Sequence, residues 1–80
     1  MKAKVFVTLK NGVFDPQGKV VQRSLATLGY AEVEHARIGK YIELDLKETN
    51  PQQAEVRVKE MCQKLLANTV IESYKIQLES

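Results

Sequence analysis

Two Xaa-Pro steps, Asp15-Pro16 and Asn50-Pro51, constrain this chain most, because each stops an extended run and starts a helix. The residue before a proline is driven out of the helical region, while proline itself suits the first helical position, having a preset φ and no amide to leave unpaired. Asp15 and Asn50 supply side-chain oxygens that cap free N–H groups, and Gln53, three residues after Asn50, fits a capping box. Asn11-Gly12 upstream is a turn dipeptide, so Asn11 to Lys19 closes a strand, reverses the backbone and opens a helix. Gly18 falls on the helix face shared by Val21, Leu25 and Leu28, where the missing side chain is expected to let the helix sit close on a sheet.

Between these punctuation marks the hydrophobic period alternates between 2 and 3.6. Ala3, Val5, Val7 and Leu9 face one way and Lys2, Lys4, Phe6, Thr8 and Lys10 the other, the pattern of a half-buried strand. The spacing predicts a helix from about Pro16 to about Leu28, ended by Gly29 in the left-handed region. Val33 to Ile38 and Tyr41 to Leu46 read as two strands joined by a tight turn at Gly39-Lys40, with Ile42, Leu44 and Leu46 pointing inward. A second helix starts at Pro51, buries Ala54, Val58, Met61, Cys62 and Leu65, and ends near Asn68. Tyr74, Ile76 and Leu78 then alternate with Lys75, Gln77 and Glu79 in a last strand. The order βαββαβ predicts an α+β, ferredoxin-like domain over residues 1–80, a four-stranded antiparallel sheet of order 4-1-3-2 with both helices on one face. A core drawn from 80 residues is marginal, so self-association is expected.

The residues exclude several chemistries. Strand, glycine turn, Gly18-Lys19 and helix resemble a phosphate-binding loop, but five residues separate Gly12 from Gly18 where four are needed. Val20 also stands where a hydroxyl would bind magnesium, and Pro16 removes an amide. One cysteine, Cys62, and one histidine, His35, are the whole nucleophile–base inventory; Cys62 lies in a helix stripe as a small hydrophobe, and no ligand pair has metal spacing. No catalytic, cofactor-binding or metal-binding residue is therefore expected in this chain. On the bare sheet face Phe6 and Tyr41 could stack bases, but Glu43 and Asp45 beside them would repel phosphate, and a net charge of +2 leaves no footprint for nucleic acid. Lys2 and Lys4 against Glu43 and Asp45 instead suit pairing with a copy of the same face. No apolar run has the length of a membrane span and the N-terminus lacks a signal-peptide pattern, so a cytoplasmic protein is expected.

Several blocks in order carry a family resemblance: residues 12–19, GVFDPQGK; Leu28-Gly29-Tyr30; residues 37–44, RIGKYIEL; residues 61–68, MCQKLLAN; and Val70-Ile71-Glu72. Together they resemble the PurS family, subunits of phosphoribosylformylglycinamidine synthase in purine biosynthesis, with Phe14 where leucine and Thr69 where proline would be expected. The resemblance implies a non-catalytic subunit of a glutamine-dependent ATP ligase that converts formylglycinamide ribonucleotide to formylglycinamidine ribonucleotide. It implies a homodimer or dimer of dimers bridging a glutaminase subunit, PurQ, and a synthetase subunit, PurL, with ATP and magnesium on the synthetase, and assisting ammonia transfer. Asn11, Phe14, Gln17, Lys19 and Arg23, near the first turn, are the expected partner contacts. The alternative is a stand-alone ferredoxin-like module binding a small molecule at a dimer interface, which rests on fold analogy; an RNA-binding module comes third.

Overall fold

The computed structural model describes residues 1–47 and 50–79. Its centre is β1 (Lys2–Leu9), whose alternating aliphatics Ala3, Val5 and Val7 are fully buried. Two strands flank it, β2 (Gly39–Asp45) and β3 (Glu72–Glu79), giving a three-stranded antiparallel sheet of order β2-β1-β3. Register puts Val5 between Ile42 and Ile76, and Ala3 between Leu44 and Leu78, so all three strands turn their aliphatic residues to one face.

That face is covered by α2 (Pro51–Met61), which lays Ala54 and Val58 on the sheet. Asn50 caps it as its sequence predicts, the side-chain oxygen accepting from the N–H groups of Gln52 and Gln53 at 2.9 and 3.3 Å. The helix continues as a π-helical turn, Cys62–Leu66, closed by the Ala67 N–H donating to the Cys62 carbonyl at 2.9 Å. The wider turn changes the phase of the stripe. Cys62 and Ala67 are buried, whereas Leu65, expected inside from α-helical spacing, is 83% exposed. Asn68 lies beyond the helix: its side chain accepts from Val70 N–H at 3.2 Å, and its carbonyl accepts from Ile71 and Glu72 on the way into β3.

The four-stranded expectation is wrong, because residues 33–38 are not a strand. The three strands that do form keep the expected neighbours, and only the outer one is missing. The reason is local: an alternating reading of Val33 to Ile38 puts polar residues on both faces, so neither face offers a continuous apolar row. The segment follows the first helix instead. α1 (Pro16–Thr27) is capped by Asp15 and followed by Leu28 and by Gly29 at φ 103°. Gln22 donates from its side-chain amide to the Glu34 carbonyl at 2.7 Å, and a Cβ on Gly18 would stand 2.1 Å from the Ala36 carbonyl oxygen.

The second helix-level expectation also fails, since α1 does not lie on the sheet beside α2. The elements in substantive contact are β1 with each flanking strand and α2 with β3 and its own π-helical turn; α1 is in none of these pairs. The result is an elongated molecule of 48 × 26 × 14 Å, a sheet with one helix on it and an arm made of α1 and the segment that returns along it.

Candidate functional site

The residues expected to meet partners cluster where β1 hands over to α1. After Lys10 the chain turns through Gly12 at φ 88°, a conformation in which a side chain is strained, and Val13 N–H donates to the Lys10 carbonyl at 3.1 Å. Asp15 then makes two different contacts. One carboxylate oxygen accepts from Gly18 N–H at 2.8 Å, the helix cap the sequence predicts, and the other accepts from Ile38 N–H at 2.9 Å, just before β2. These two backbone donors, Ile38 first, hold the Asp15 carboxyl below its ordinary range. The arm is thus fastened to the sheet at both its roots by one side chain.

The same geometry answers the phosphate-loop resemblance. A helix start binds an anion when its amides are free, and here Pro16 has none while Gly18 is engaged by Asp15.

Of the five expected contact residues, Asn11, Phe14 and Gln17 surround this turn, and Lys19 and Arg23 follow one turn apart on α1. All five are exposed, Phe14 by 71% although it is a large apolar side chain. The Asn11 side-chain oxygen accepts from Arg37 Nη1 at 3.5 Å, which links the turn to the returning segment. Gln17 lines a cavity of about 400 Å³ with Thr8, Asp15, Gly39, Lys40 and Glu72. Lys40 crosses its rim, donating to the Leu66 carbonyl at 3.3 Å with Glu72 at 4.0 Å. Asp15, Lys40 and Glu72 were not among the expected contacts; the Asp-Pro step marks Asp15 as a cap, but its second bond and the cavity depend on residues far apart in sequence.

The remaining chemistry-bearing residues stay separate. Cys62 is buried in the core and its thiol is pushed up by that burial, the opposite of an activated nucleophile. His35 is exposed in the returning segment. Among the described residues no three His, Cys, Asp or Glu side chains come together as a metal site, and no helix is long and apolar enough to cross a membrane. On the outer sheet face Phe6 and Tyr41 pair at 5.1 Å between ring centroids. Lys2 meets Glu43 at 3.4 Å and Lys4 meets Glu79. The hydrogen-bonded, charged contact with Glu79 raises the Lys4 pKa, and its counterpart lowers that of Glu79.

Comparison with known proteins places this arrangement. The family model for PurS, phosphoribosylformylglycinamidine (FGAM) synthase, matches residues 2–80. The phosphoribosylformylglycinamidine synthase subunit PurS of Bacillus subtilis is 53% identical over 78 residues, covering 98% of this chain and 92% of that one. The crystal structure of Methanocaldococcus jannaschii PurS, described as one of the subunits of formylglycinamide ribonucleotide amidotransferase in the purine biosynthetic pathway, superposes with a TM-score of 0.88 at 42% identity, over 98% of this chain and 94% of that one. A chain in the structure of PurLQS from Thermotoga maritima superposes with a TM-score of 0.87 at 33% identity, over 95% and 93%. A family match along nearly the whole length, with relatives this similar, leaves one conclusion: the chain belongs to the PurS family of phosphoribosylformylglycinamidine synthase subunits.

Proposed function

We propose that this chain is the PurS subunit of an FGAM synthase complex in purine biosynthesis and acts in the cytoplasm as a non-catalytic adaptor between a glutaminase, PurQ, and a synthetase, PurL. The observation that carries the reading is the full-length family match, reinforced by the likeness to a chain of the PurLQS assembly. In this reading ATP and magnesium act on PurL, glutamine is hydrolysed on PurQ, and this subunit fixes the distance between the two sites. Such geometry matters chemically, because ammonia released into water at neutral pH is protonated and ceases to be a nucleophile, whereas ammonia passed between apposed sites remains one.

The turn with Asn11, Phe14 and Gln17, continued by Lys19 and Arg23, is the surface proposed to meet the larger subunits. Exposed Phe14 beside polar and basic side chains has the composition of an interface anchor with a polar rim. The chain is further proposed to act as a dimer or dimer of dimers, supported by the apolar residues α1 leaves uncovered. The experiment is reconstitution: PurL and PurQ with ATP, magnesium, glutamine and formylglycinamide ribonucleotide, with and without this protein. Glutamine-dependent product formation rises when it is added; an unchanged rate would overturn the proposal. Phe14→Ala and Arg23→Ala lower that rate without changing the fold, read by circular dichroism.

A further inference from the structure

The asparagines of this chain, Asn11, Asn50 and Asn68, sit in three different chemical settings. Asn50 is followed by proline, which has no N–H, and its side-chain oxygen accepts from Gln52 and Gln53 N–H at 2.9 and 3.3 Å. Asn68 is followed by β-branched Thr69, and its side-chain oxygen accepts from Val70 N–H at 3.2 Å. Asn11 is followed by Gly12, and among the described residues no backbone N–H holds its side chain; the group at its oxygen is Arg37 Nη1, at 3.5 Å.

The amide carbon of an asparagine lies within reach of the main-chain nitrogen of the next residue, and closing that gap makes a five-membered ring with both reactants on one chain. A bulky successor, an engaged N–H or a rigid backbone opposes the closure. None of these obstacles is high at Asn11. Gly12 has no side chain, and even a Cβ built there would meet nothing within 4 Å. Among the described residues its N–H meets no acceptor. Asn11 and Gly12 are exposed, and the backbone hydrogen bond that closes their turn is Val13 N–H to the Lys10 carbonyl at 3.1 Å. Arg37 adds an activating charge, because it stands beside the carbonyl oxygen on which negative charge grows as the nitrogen attacks.

We propose that Asn11 is a site of spontaneous modification, at which the folded chain loses a side-chain amide while Asn50 and Asn68 keep theirs. The Gly12 nitrogen gives its proton to hydroxide and forms a bond to Asn11 Cγ; the side-chain nitrogen takes a proton from water and leaves as ammonia. Water then opens the cyclic imide, at one carbonyl to give aspartate and at the other to give isoaspartate. One water is consumed and one ammonia released, with no oxidation or reduction. Both products place a carboxylate beside Arg37 and remove one unit from the net charge of +2. Isoaspartate also adds a methylene to the main chain between β1 and α1, at the root of the arm.

The test holds the full chain at mildly alkaline pH, folded in one sample and in denaturant in another, followed by trypsin digestion and mass spectrometry. Cleavage after Lys10 and Lys19 isolates residues 11–19 as one peptide. An exposed turn closed by one hydrogen bond opens at little cost, so the folded sample accumulates aspartate and isoaspartate at position 11 within roughly tenfold of the denatured rate. The amides of Asn50 and Asn68 stay in place in the folded sample. An Asn11 amide kept in the folded chain but lost in denaturant overturns the proposal, as does equal loss at Asn68 or a product that is aspartate alone. Arg37→Gln, at an exposed position, slows the folded reaction by roughly fivefold at low salt with an unchanged circular dichroism spectrum, and an unchanged rate would count against the assisted attack.

Discussion

Asp15 carries more of this structure than its place in a surface turn suggests, because its two oxygens hold the start of α1 and the start of β2 together. Replacing it with Asn keeps one acceptor and loses the charge, so Asp15→Asn lowers the melting temperature at neutral pH. The pH dependence follows from the direction of the shift. A carboxyl held below its unfolded value contributes fully above that value, near 3.8, and loses its contribution as pH falls through the lower folded value. The gap between wild type and Asp15→Asn in thermal melts therefore persists from neutral pH down to the ordinary carboxylate range and closes below it. Gly18 gives a second test. Inside a helix Gly→Ala commonly stabilises by about 1 kcal/mol, but here the added carbon meets the Ala36 carbonyl, so Gly18→Ala destabilises by about 1–3 kcal/mol in urea titrations. At this scale the sequence was legible where the physics is local. The cap at Asp15, the left-handed Gly29 and the packing role of Gly18 follow from neighbours in the chain. What Gly18 packs against did not, since its neighbour is a backbone carbonyl and not the expected sheet.

At the scale of elements, amphipathic period located both helices and three strands to within about two residues, and failed where the period was ambiguous. Residues 33–38 have the length of a strand but no clean apolar face, and hydrogen bonds from Gln22 and to Asp15 hold them along α1. The end of α2 failed differently: periodicity assumes 3.6 residues per turn, and the π-helical turn moves Leu65 outward and brings Ala67 in. The two positions are separable by mutation. Val58→Ala, in the fully buried stripe, costs about 2 kcal/mol in chemical denaturation, while Leu65→Ala changes stability by no more than about 0.5 kcal/mol. The outward position of Lys19 and Arg23 was readable on the helix face, whereas Phe14 read equally well as a core anchor and Asn11 as turn chemistry; the structure exposes all five and groups three of them at one turn.

For the whole molecule, the register has a kinetic corollary. Lys2 pairs with Asp45 on one side and Glu79 on the other, so the first strand made is the middle strand of the sheet and all its ladder partners are distant in sequence. Loop-closure entropy must be overcome twice before either flank rewards it, which places folding in the millisecond-to-second range in stopped-flow refolding, and not in the microseconds typical of helical bundles. During synthesis the aliphatic row Ala3, Val5 and Val7 stays without its second neighbour until Glu72 to Glu79 has left the ribosome. Of the three strands, then, the earliest to emerge is the one that waits longest for shelter.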